Sequence, residues 1–138
     1  MAEPMVTQEL ARFQAQCAVG DVSEAVRHEG KRSLLNFFAT ALAGHRDPFI
    51  GQALSVLQPL SGPAQATVIG HGARVDVLTA AFLNGASANA HEFDDTHFPT
   101  VIHPTAPVAG AVFAWAEHQP TRGADLLHAF VRPGDPGL

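Results

Sequence analysis

Apolar positions along this chain recur at helical spacing in one segment after another, and turn residues separate the segments. Between Thr7 and Val19, Leu10, Phe13, Ala15 and the run Cys17–Val19 supply the apolar positions. With Thr7 as N-cap and Glu9 in the first turn, they predict a first amphipathic helix. Gly20-Asp21-Val22-Ser23 reads as a turn, with Ser23 as the N-cap of a longer helix. Along that helix Ala25, Val26, Leu34, Leu35, Phe38 and Leu42 repeat at the same period until Gly44 ends it. Asp47 and Pro48 have the residue types of an N-cap and a first helical position, and they open a third helix reaching about Gln58.

The stretch from Pro59 to Pro63 is a loop, and Ala66–Gly70 is the only β-like run, too short for a sheet of its own. His71 and Gly72 lead into a fourth helix, predicted from about Arg74 to His91. Val77, Leu78, Ala81, Phe82, Gly85 and Ala88 give that helix a small-residue face that allows another helix close, while Asn84, Ala88 and His91 share one side. Pro99 bars a continuous helix through the next stretch. Pro104 is placed as the first residue of a fifth helix running to about His118, with His103 at or beside its N-cap. A sixth helix is predicted from Gly123 to Val131, where a Pro/Gly-rich tail at 132–138 stops it. The expected architecture is an all-α helical bundle with no internal repeat.

Composition adds one qualification. Of 138 residues, 46% are hydrophobic, enough for a real core, but only 15% are charged. Soluble domains carry about a quarter. The shortage points to surface covered by a partner or by further sequence, although a compact alanine-rich helical protein would show it too. The net charge is −5 and the eight basic residues are scattered without a basic stripe, so no nucleic-acid partner is expected. The single cysteine, Cys17, rules out an internal disulfide and is expected in the core. No charged segment precedes an apolar one at the N-terminus, and no run reaches membrane-spanning length. A soluble, cytoplasmic chain with no membrane partner is expected.

Between the fourth and fifth helices lies a dense ionisable island: His91, Glu92, Asp94, Asp95, Thr96, His97, Thr100 and His103. Burying such groups between apolar helices requires a satisfied network or a function. Three chemistries are open to it. A metal site from His91, His97 and His103 with Asp94 or Asp95 would need ligand spacings that gaps of five residues between the histidines do not match. A structural network would have Asp94 and Asp95 accepting backbone N–H bonds in the loop. An acid–base pocket would use His103, whose imidazolium is disfavoured by the helix N-terminus and favoured by a nearby carboxylate. The same helix end could hold an anionic substrate group, with Thr96 donating to it. Asp94 and Asp95 would then turn inward, leaving Glu92 toward the pocket.

The runs Ala80-Ala81-Phe82-Leu83-Asn84-Gly85, Ala90-His91-Glu92-Phe93-Asp94-Asp95-Thr96-His97 and His103-Pro104 resemble the signature of the MmgE/PrpD family. Leu10-Ala11-Arg12-Phe13, Arg32–Asn36 and Leu42-Ala43-Gly44 fit its opening helices, and the resemblance covers about residues 7 to 131, leaving 132–138 outside the pattern. The resemblance implies part of a helical domain built from both ends of a longer chain, with a smaller α/β lid domain in the sequence between them and absent here. It also implies a homodimer and a metal-free lyase without cofactor, acting on a small di- or tricarboxylate. The expected activity is that of a 2-methylcitrate dehydratase, with cis-aconitate decarboxylation or iminodisuccinate epimerisation as alternatives. Carried onto this chain, His103 is the acid/base, Thr96 a carboxylate anchor and Glu92 a proton carrier. Asp94, Asp95, His91 and His97 would support them. The family's usual acid at position 92 is Asp, so Glu92 reaches one methylene further. The family's later pocket histidine and lysines would lie beyond residue 138, and Lys31 matches none of them. The chain alone is therefore expected to be inactive, and a non-catalytic helical piece that associates with a partner is the alternative.

Overall fold

The computed structural model describes residues 5–131, apart from the side chain of Gln14, so the tail at 132–138 lies outside the described residues. It is mainly helical. The helices are α1 (Val6–Gln16), α2 (Glu24–Gly44), α3 (Pro48–Leu57), α4 (Val77–Asn89), α5 (Thr105–His118) and α6 (Gly123–Val131). Strands β1 (Ala66–Val68) and β2 (Ala73–Val75) form an antiparallel hairpin between α3 and α4, with Thr67 opposite Arg74.

The predicted caps of α2 and α3 form. The Ser23 hydroxyl accepts from Val26 N at 3.3 Å, and Asp47 Oδ1 accepts from Phe49 N at 2.8 Å. Three boundaries differ from the sequence expectation. Helix α1 begins one residue before Thr7, with Met5 at the cap position and no side-chain cap, and it ends at Gln16, leaving buried Cys17 just past it. Pro104 is the N-cap of α5, not its first residue, so His103 lies one residue outside the helix. The fourth helix starts at Val77, because Ala73–Val75 is drawn into the hairpin and Asp76 caps the helix through Leu78 N and Thr79 N. The helical architecture expected from the sequence is present, with the short hairpin added to it. Gly70 and Gly72, at φ +79° and +63°, make the hairpin turn, a backbone conformation that side chains disfavour. Asn84 straps the hairpin to α4: its Oδ1 accepts from Ile69 N and its Nδ2 donates to Thr67 O, both at 2.9 Å.

Helix α4 packs against α2, α3, α5 and both strands. Its approach to α5 is close because both surfaces are small: a Cβ on Gly110 would sit 2.7 Å from Ala81 O and 3.1 Å from Gly85 N. Gly44 of α2 likewise meets Ser87 O, where a methyl group would collide. Two apolar clusters fill the space on either side of α4. Leu54, Val68, Val75 and Leu83 form one, and Phe37, Ala41, Ala88 and Ala109 the other, backed by the Phe37–Phe113 stack at 6.1 Å. Cys17, Val22 and Val131 tie the first turns of the chain to α6. Among the described residues, no helix is long and apolar enough to cross a membrane.

Candidate active site

The loop between α4 and α5 brings the ionisable island to the junction of these two helices. Asn89, the last residue of α4, donates its side-chain NH2 to both oxygens of Asp94 at 3.2 Å each. Asp94 is only 6% exposed, so its carboxylate has exchanged water for these protein partners. On its other side Asp94 Oδ1 lies 3.2 Å from His103 Nδ1. That nitrogen is buried and not aligned for a hydrogen bond at this distance. Asp95 does different work: Oδ1 accepts from Thr105 N at 3.2 Å and Oδ2 from the Thr105 hydroxyl at 2.7 Å. It therefore occupies the N-terminus of α5, the place where the sequence suggested a substrate anion.

The rest of the loop is held locally. Glu92 N donates to Asn89 O at 3.0 Å, with Glu92 at φ +53°. The left-handed basin costs a non-glycine residue about 1 kcal/mol, so the chain turns here against its local preference. Asn36 of α2 donates to Phe93 O at 3.3 Å and ties the loop to the bundle. His97 N donates to Ile102 O at 2.9 Å, and His97 Nδ1 pairs with the Thr100 hydroxyl at 2.7 Å, closing a small turn within the loop.

Two open clefts border this region. One, of about 510 Å³, runs between α4 and α5 past Phe82, Gly85, Ala86, Asn89, His103 and Pro107. The other, of about 580 Å³, is bounded by Asp47, Phe49, Ala86, Asn89, His91 and Glu92. Ala86 and Asn89 belong to both and form the wall between them. His103 thus lines one cleft with Asp94 behind it, while His91 and Glu92 line the other. Thr96 is exposed and lines neither, nor does His97. Among the described residues, no lysine or arginine lines either cleft. Among the described residues, no three histidine, cysteine or acidic side chains converge as a metal ion would require. Sequence reasoning missed Asn89 and Asn36. The one available signal was an amide at the end of a predicted helix, five residues ahead of an acid that must be buried.

The model of the MmgE/PrpD N-terminal domain family matches residues 8–132 of the chain. A cis-aconitate decarboxylase from Aspergillus terreus is 30% identical over 116 residues, covering 84% of this chain and 24% of that protein. The human cis-aconitate decarboxylase is 29% identical over 130 residues, covering 91% of this chain and 27% of its own length. The chain thus spans about a quarter of the length of the curated relatives it matches.

Proposed function

The chain belongs to the MmgE/PrpD family, and from that premise we propose that its α4–α5 loop supplies one half of a lyase active site for a small di- or tricarboxylate. The observation that carries this reading is the buried Asp94 carboxylate set 3.2 Å from Nδ1 of a cleft-lining His103. Of the two neutral tautomers, a carboxylate at Nδ1 favours the one with its proton on Nδ1, which leaves the Nε2 lone pair for the cleft. In a dehydration, Nε2 takes the proton α to a carboxylate and hydroxide leaves from the β carbon with a proton from a second group. Glu92, which lines the neighbouring cleft beyond Ala86 and Asn89, is the candidate for that group with a substrate that spans both clefts. In a decarboxylation, Nε2 first takes a proton from water, the carbon–carbon bond breaks, CO2 departs, and the electron pair left on carbon takes that proton from the imidazolium, returning the ring to neutral. The decarboxylases among its relatives favour the second course and a cis-aconitate-like tricarboxylate over 2-methylcitrate.

The clefts are short of positive charge, and Asp95 already fills the dipole end of α5. Binding an anion there calls for cationic side chains from the remaining three quarters or so of the relatives' length. Thr96, on the exposed part of the loop, is the candidate carboxylate anchor, and Asp94, Asp95, His91 and His97 are supporting groups. A homodimer in the cytoplasm, working without metal or other cofactor, completes the reading. The test is turnover of carboxyl-labelled cis-aconitate by the whole protein carrying this segment, read as labelled CO2, with 2-methylcitrate followed in parallel by ultraviolet absorbance. His103→Gln should reduce the productive reaction by about a hundredfold or more, the scale of a lost general acid or base. An undiminished rate in that variant, or no reaction with either acid, would refute it.

A second reading, a non-catalytic helical piece held in an assembly, is favoured by the exposure of Phe93, Phe98 and Val101 on the loop itself.

A further inference from the structure

Asn89 is an exposed residue at the end of a helix, yet its amide reaches a buried carboxylate and its side borders both clefts. A carboxylate only accepts, so the amide has to turn its NH2 toward Asp94. One NH2 at 3.2 Å from both oxygens shares its hydrogen bond between them and holds the carboxylate in position. Among the described residues, no other hydrogen-bond donor to Asp94 is present. His103 is the second neighbour, with Nδ1 3.2 Å from Oδ1. Among the described residues, the rest of the His103 cleft is uncharged, formed by Phe82, Gly85, Ala86, Ala106 and Pro107, while Asp95 is engaged with Thr105. The orientation of the Asp94 carboxylate is therefore the main local influence on which ring nitrogen of His103 holds the proton.

We propose that Asn89 is a positioning residue which, by clamping both oxygens of Asp94, holds His103 in the Nδ1–H form with Nε2 open to the cleft. The proposal rests on the reading of His103 as the acid/base, but it concerns the imidazole and can be tested without turnover. The measurement is the long-range nitrogen–proton NMR spectrum of the ¹⁵N-labelled chain above the imidazole titration, with the His103 signals identified by their loss in His103→Gln. In the parent the Nδ1–H form should predominate. In Asn89→Ala and Asn89→Leu the ratio of Nδ1–H to Nε2–H should fall by about twofold or more, because the released carboxylate no longer keeps its charge beside Nδ1. Both changes fall at an exposed helical position and replace Asn with better helix formers, and circular dichroism verifies that the fold is kept. In an Asp94→Ala background the same substitutions should have no further effect. An unchanged ratio in either folded variant, or an equal fall without Asp94, would overturn the proposal. Failure of the turnover assay alone would count against the lyase reading and leave this one standing.

Discussion

Asp94 and Asp95 are adjacent and chemically identical, and the fold gives them separate tasks. Asp94 points to a side-chain amide and an imidazole, Asp95 to a backbone N–H and a hydroxyl. A third acid, Asp76, caps the other end of α4, and its titration makes the cap measurable. The Thr79 hydroxyl at 2.6 Å, the Thr79 backbone N–H and the Ser61 hydroxyl hold its carboxyl well below the usual carboxylate range. Because the folded carboxyl is the stronger acid, its contribution to stability is complete above the unfolded value near 3.8 and is lost as the pH falls toward the folded value. Asp76→Ala should cost about 1–2 kcal/mol at neutral pH, and urea melts should show the gap from the parent closing in strong acid. A gap independent of pH would contradict this account. The residue types at the island were legible in the sequence, and so were the caps at Ser23 and Asp47, because a cap depends on neighbours two or three positions away. What Asp94 and Asp95 each bond was not, since Asn89 and Thr105 are selected by the path of the loop.

Among the elements, the crossing of α4 and α5 depends on glycine at a point where backbones nearly touch. A methyl group at Gly110 would sit against the Ala81 carbonyl, and backbone cannot yield as a side-chain tip can. Gly110→Ala should therefore destabilise the protein by about 1–3 kcal/mol, read from urea or thermal melts. Gly51 in α3 is the internal comparison: it is exposed, helical, and has open space where its Cβ would be. Gly51→Ala should raise stability by about 0.5–1 kcal/mol through helix propensity alone. Equal effects at the two sites would refute the packing argument. The small-residue face of α4 was legible in the sequence as a surface of close approach. The hairpin was less legible, because strands of three residues carry too little alternation to read. Their pairing relies on two glycines at positive φ and on the Asn84 strap, which is a tertiary contact.

For the molecule as a whole, the low charge fraction has a structural counterpart in apolar groups left facing solvent. Phe93, Phe98 and Val101 are each at least three-quarters exposed, beside a site whose relatives are about four times as long. The chain alone should therefore associate. Light scattering after size exclusion should report a mass that rises with concentration, and Phe98→Ser should lower it. A monomer mass at every concentration would oppose this. The family resemblance was legible because its loop motif lies in linear order, whereas the exposure of these three side chains was not, because it depends on the path of the loop. One consequence follows from the central place of α4, which packs against three helices and both strands. It has no private way to open. Its amide protons should exchange with deuterium only when the entire fold lets go, long after those of α1, whose described side chains are almost all in solvent.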